Sequence, residues 1–150
     1  FVQNLIKFIE TIDRAKYPLI KIRYRPFGKA DPKKFHLDIN LPNIEISDLR
    51  STIQNDMKEC KLVVHFSIPA TNFLECCFVD KASMGLLAND NPTEYVKPFY
   101  KDLLQLDILH QSYEEMAKAI NKVDVDSWHS EVLNDKRYQN FTKYFCSKGL

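Results

Sequence analysis

Apolar residues change their spacing several times along the chain, and each change marks an element. Val2, Leu5, Ile6, Ile9 and Ile12 recur at helical spacing over residues 1–14. Pro18 ends that pattern, and residues 19–24 then alternate, with Ile20 and Ile22 on one face of a strand. Pro26, Gly28 and Pro32 punctuate a loop. Residues 43–46 read as a short strand, and Ser47 is a candidate cap for a helix over 48–59 that places Leu49, Ile53 and Met57 on one side. Residues 62–66 form a near-continuous apolar run, as expected of a buried parallel strand. A turn at 67–70 leads to a helix through Phe78, for which Thr71 or Asn72 can serve as the cap. Residues 82–88 are the next strand. The rest reads as helical over about 93–106, 112–122 and 131–147, with a short apolar step at Ile108 and Leu109.

The order of strand and helix signals predicts an α/β fold. It is expected to be a Rossmann-like parallel sheet with helices on both faces, right-handed crossovers and a helical C-terminus. Ligands of such sheets bind outside the carboxyl ends of the strands. Two loops therefore carry the candidate chemistry, one after the strand ending near Tyr24 and one after the strand ending near Phe66.

Composition narrows the functional classes. The chain has 150 residues, 45% apolar and 27% charged, which suits one globular domain over 1–150 and rules out a disordered tail. No apolar run approaches the ~20 residues of a membrane span. The net charge of +1 argues against a strongly basic nucleic-acid binder. That average hides an asymmetry: residues 1–40 hold nine Lys/Arg against four Asp/Glu. Such a surface suits an anionic ligand, or is simply a solvated lysine face. Cys60, Cys76, Cys77 and Cys146 show neither a CxxC pair nor metal-ligand spacing with histidine, and read as small apolar residues. The chain starts at Phe1 inside a helical pattern, and reads as a piece of a longer polypeptide.

The first loop, residues 23–29, presents Arg23, Arg25 and Lys29, with Pro26 stiffening the exit and Gly28 allowing a tight turn. The planar fork of Arg suits phosphate or carboxylate. In the second loop a strand runs through small polar residues into a helix. The unpaired N–H groups and positive dipole end of that helix favour phosphate. Ser67, Thr71 and Asn72 add hydroxyl and amide donors, and Glu75, a turn further in, can accept from ribose hydroxyls. The plainer alternative is a capped helix with Glu75 in solvent. His65 lies in the apolar strand, where a histidine is either packed or a candidate site residue. His36, His110 and His129 are dispersed, with no nucleophile to make a triad. There is no Walker A loop, no GxGxxG and no carboxylate pair at the loop mouths. No metal or cofactor is called for.

From Ala70 onward, Ala-Thr-Asn-Phe-Leu-Glu resembles the Ser-Thr-Thr-Phe-Leu-Glu loop and helix of transferases of bacterial surface-polysaccharide (O-antigen) biosynthesis. Residues 98–103, residues 108–110, and the helix from Ser112 followed by Val125, Asp126, Ser127 and Trp128 are similar to further pieces of that family in the same order. The first loop is similar to its Arg-x-x-Pro-His region, so the resemblance covers about 20–150. It departs at Ala70 (Ser in the family), at Arg25 before Pro26 (His), at Asp107 (Gly) and at His129 (Trp).

The resemblance implies the carboxyl-terminal half of a GT-B glycosyltransferase, holding the nucleotide-sugar donor. Arg23, Arg25 and Lys29 would then neutralise donor phosphate or a sugar carboxylate. Ser67, Thr71 and Asn72 would bind phosphate, and Glu75 a ribose or sugar. The expected partners are a nucleotide-sugar, a missing N-terminal domain of the same chain, and a glycan or lipid-linked acceptor. The expected place is the cytoplasm, peripheral at the inner membrane face, and the isolated piece is expected to be inactive. The residues leave two other classes open: a non-catalytic α/β assembly module, and another phosphate or nucleotide enzyme on a flavodoxin-like sheet. Phe99, Tyr100, Trp128, Tyr138, Phe141, Tyr144 and Phe145 are expected to pack in the core or against a further domain.

Overall fold

A computed structural model describes residues 2–23, 40–47, 52–68, 70–88 and 92–146. The chain divides into two compact units, Phe1–Glu59 and Cys60–Leu150. Each is described by itself.

The first unit contains α1 (Val2–Thr11), β1 (Ile20–Ile22), β2 (Ile44–Ile46) and α2 (Ile53–Glu59). Helix α1 buries Leu5 and Ile9 as the helical spacing predicts, with Ile12 buried just beyond it; Phe8 is buried as well, while Ile6 is half-buried. Strands β1 and β2 pair in parallel, with Ile20, Lys21 and Ile22 opposite Ile44, Glu45 and Ile46. Arg14 braces the approach: its Nη2 donates to the carbonyls of Pro18, Pro42 and Asn43 at 3.0–3.1 Å.

The second unit runs β3 (Val63–Ile68), α3 (Thr71–Phe78), β4 (Ser83–Leu87), α4 (Lys97–Gln105), β5 (Leu109–His110), α5 (Tyr113–Lys122), α6 (Val125–Asn134) and α7 (Lys136–Phe145). Its sheet is parallel with order β3-β4-β5. Successive strand residues point to opposite faces, and the ring contacts show it. His65 meets Phe73 of α3 edge-on at 5.6 Å, while Phe66 stacks on Tyr113 of α5 at 5.7 Å. Helices α3 and α5 therefore cover opposite faces. The described elements thus make a mixed α/β fold, Rossmann-like in its parallel strands and crossovers, with a helical C-terminus. The strands lie in two parallel sheets.

Central strand β4 buries Ser83, Met84, Gly85 and Leu86. A Cβ on Gly85 would stand 2.6 Å from Ile68 Cγ1, so the two strands pack there only because the position is glycine. The core continues through Leu103, Met116, Ile120, Val125, Val132 and Phe141. Trp128 Nε1 donates to the Leu106 carbonyl at 3.0 Å, which locks α6 onto the turn before β5.

Several sequence expectations need correction. Ser47 does not cap α2, which starts at Ile53 with Thr52 Oγ1 accepting from Asn55 N at 3.2 Å, and β3 runs on through Ile68 in place of a turn beginning at Ser67. The single helix over 131–147 is two helices, α6 and α7, broken at Asp135, whose carboxylate accepts from Arg137 N at 2.8 Å and caps α7. The helix placed at 93–106 starts later, at Lys97, after a turn in which Val96 N donates to Thr93 O. Neither Thr71 nor Asn72 caps α3; Ala70 holds that place in extended conformation and makes no side-chain cap. The aromatic residues of the last third mostly pack as expected: Trp128, Tyr138 and Phe141 are buried, and Phe99, Tyr100 and Phe145 are half-buried. Tyr144 (56% exposed) and Tyr95 (52% exposed) lie outermost, with ring centroids 5.3 Å apart.

Candidate functional site

In the second unit the candidate site forms where β3 ends and α3 begins. The β3–β4 register shifts between His65 and Ile68, so Phe66 and Ser67 oppose a single partner position. A bulge of this kind re-aims the bulged side chains, and Ser67 is exposed on it. Ile68 is buried again, and its carbonyl accepts from Ala88 N at 3.0 Å. Pro69 lies outside the described residues. Ala70 then turns the chain into α3.

An Ala at the N-cap leaves the first-turn N–H groups of α3 without a side-chain acceptor from that residue. No acid lies in that turn to offset the dipole. Thr71 and Asn72 are exposed at this end, and Glu75 is half-buried one turn further on. The helix is held from behind. Phe73, Cys76 and Cys77 are buried, Phe73 meets Phe141 of α7, and Tyr138 Oη donates to the Cys77 carbonyl at 3.4 Å. The result is a rigid helix end with N–H donors, a serine on a bulge, a threonine and an asparagine together. Such a constellation can take a phosphate.

His65 lies beneath α3, with Nε2 3.7 Å from Cys76 Sγ. Burial lowers its pKa to about 4, so the imidazole is neutral at neutral pH. Burial, and then the charge of Glu75, push the Cys76 thiol up to about 11. A thiol so protonated beside a neutral imidazole is not an activated nucleophile. His110, at the end of β5, is also buried; its Nε2 lies 2.8 Å from the Asp107 carbonyl, and burial outweighs that contact to lower its pKa.

In the first unit, Arg23 directly follows β1 and its Nη1 donates to Asp56 Oδ2 at 2.7 Å. Arg25 and Lys29 lie outside the described residues. Asp56 of α2 also accepts from Ser47 Oγ at 2.7 Å, and Lys21 Nζ is 3.0 Å from its Oδ1. Burial alone would raise the Asp56 pKa, but the bonds from Ser47, Lys21 and Arg23 outweigh it and hold it at about 2. The bond to Asp56 in turn raises Lys21. Sequence reading missed Asp56 because one acid in a short helix looks solvated. The available signal was its place beside Met57, on the apolar side of that helix.

Among the described residues, no group of three His, Cys, Asp or Glu side chains is placed to hold a metal ion. No helix among them is long and apolar enough to cross a membrane. Residues 1–148 match a family model described as LIC12162 family transferase. No curated protein and no solved structure matches the chain.

Proposed function

The chain belongs to the LIC12162 family of transferases, and from that premise we propose that it binds the nucleotide-sugar donor of a glycosyltransferase of bacterial surface-polysaccharide (O-antigen) assembly. The observation that carries the reading is the start of α3. A helix at the carboxyl end of a parallel strand has no side-chain cap and no first-turn acid, and Ser67, Thr71 and Asn72 are gathered there. In a transfer, the bond between the sugar and the nucleotide breaks, and the leaving phosphate gains negative charge. N–H dipoles fixed in place stabilise that charge without reorganising. In this reading Ser67, Thr71 and Asn72 bind the phosphate, and Glu75 accepts from ribose or sugar hydroxyls. Arg23, Arg25 and Lys29 are anion contacts of the first unit.

The glycan or lipid-linked acceptor, and the base that takes its proton, belong in this reading to a further domain of the same polypeptide. No cofactor beyond the donor is required. The reaction takes place on the cytoplasmic side, at the inner membrane face.

The test is a titration with CMP, UDP, GDP, dTDP and CDP at millimolar levels, followed by amide chemical shifts. Shifts at Ser67 and residues 70–75 are expected for one base. Asn72→Asp sharpens the test. A carboxylate in the first turn favours the helix dipole by roughly 0.3–1 kcal/mol, yet repels a phosphate in the same place. The variant is therefore expected to be as stable as the parent or slightly more so, and to bind the nucleotide at least several-fold more weakly. Undiminished binding would refute the phosphate site.

A further inference from the structure

The cluster around Asp56 has a role that the α3 terminus does not absorb. Arg23 and Ser47 are each the first residue past a strand, and Ser47 N donates to the Ile22 carbonyl at 2.7 Å. One carboxylate, buried on α2, bonds to both. It thus ties the carboxyl ends of β1 and β2 to the helix that follows. Lys21 joins from within β1 and is shared with Glu45 at 3.5 Å and Glu59 at 3.6 Å. Those two acids and Asp56 balance Lys21 from three sides. The bond from Arg23 to Asp56 is the shorter one, at 2.7 Å, and it anchors Nη1 of the guanidinium beside the carboxyl end of β1.

We propose that Asp56 is a positioning residue: by anchoring Nη1 it holds the Arg23 guanidinium at the carboxyl end of β1, where it meets an anionic group, a phosphate or a carboxylate. This rests on the reading of Arg23 as an anion contact. It makes a sign prediction that a purely electrostatic role reverses. Asp56 is negative, so as a mere countercharge it opposes anion binding, and its removal would tighten binding. As the group that anchors Arg23, it assists anion binding, and its removal weakens it. A merely structural role would change stability and leave affinity alone.

The experiment is calorimetric titration of the full chain with inorganic pyrophosphate and with UDP, GDP and CMP. The Arg Nε–Hε resonances are followed in parallel. Arg23→Ala is expected to weaken binding roughly tenfold or more, the scale of one lost hydrogen bond to a charged group. Asp56→Asn is expected to weaken it by a similar factor and to shift the Arg23 Nε–Hε signal. The double variant should be no weaker than either single one, because both remove the same contact. Ser47→Ala keeps every charge and loosens the carboxylate, so a loss of about two- to threefold is expected there even where Asp56→Asn does not fold.

Tighter or unchanged binding by Asp56→Asn, or by Ser47→Ala where that variant carries the test, overturns the proposal and leaves the donor site standing. Binding by the parent that Arg23→Ala leaves intact removes Arg23 as a contact, and the proposal with it. A parent that binds none of the probes overturns both this proposal and the donor reading.

Discussion

Asp107 has a φ of 60°, the left-handed region in which glycine is unstrained and most side chains are not. Asn43 (φ 58°) and Asp80 (φ 56°) share that region, so all three such non-glycine positions among the described residues are Asn or Asp. This accounts for one departure from the pattern that the sequence resembles, which has glycine where Asp107 stands: the backbone demand is met by a short polar side chain in place of no side chain. Asp107→Gly is expected to be neutral or stabilising. Asp107→Val should cost about 1–2 kcal/mol, measured by urea denaturation. A valine variant as stable as the parent would contradict the strain argument. Residue roles were the least legible part of the sequence. Arg23 stood out as a basic residue at a strand end, but its carboxylate partner lies 33 positions away in a helix. Only folding brings the two together.

Elements were more legible, because periodicity is set by which face is buried. The burial stripe of α1, the pairing strands and helix α3 through Phe78 all appear where the spacing puts them. Boundaries that rest on a single side chain were not. The break at Asp135 shows in the apolar pattern only as a slip of phase: Val132 and Tyr138 are six positions apart, about 240° around a continuous helix. What stops α6 and starts α7 is local: Asp135 is extended (φ −84°, ψ 130°), and its carboxylate accepts from Arg137 N and Nε. These bonds and one from Arg137 Nη2 hold its pKa at about 2. Asp135→Ala is expected to cost about 1 kcal/mol, the scale of a lost N-cap. The exposed ion pair to Arg137 adds little to that figure. Arg137→Ala, which keeps the cap, should cost clearly less. Equal losses in thermal melts of the two variants would place the stabilisation in the ion pair instead.

At the scale of the whole molecule, buried titratable groups set the response to acid. His65 has a pKa of about 4 in the fold against an ordinary 6.5, so the unfolded chain takes up its proton first. Its contribution is complete above pH 6.5. It is lost as pH falls to about 4, at up to about 1.4 kcal/mol per pH unit. His110 acts in the same direction. Asp56, lowered from 3.8 to about 2, contributes stability above 3.8 that is lost between 3.8 and 2. Acid unfolding is therefore expected to begin in the histidine range, before Asp56 titrates. His65→Gln should flatten the loss of stability between pH 7 and 4.5 in denaturant titrations. An unchanged slope in that variant would remove His65 as the cause. The overall α/β character was legible from the alternation of strand and helix signals, since parallel strands need helical crossovers. The division of the strands between two sheets was not, because pairing partners are a property of the folded chain.

Cys76 and Cys77 lie on the inner side of α3, the helix whose outer end carries Thr71 and Asn72. A thiol-specific reagent can reach them only when that helix lifts from the sheet, which also relieves the burial that keeps the Cys76 thiol protonated. Their labelling rate is therefore a clock for the opening of α3. Whatever binds the start of the helix holds it down, and the clock runs slow in its presence. The chain carries its own reporter of occupancy, one that needs neither a fluorophore nor knowledge of the sugar.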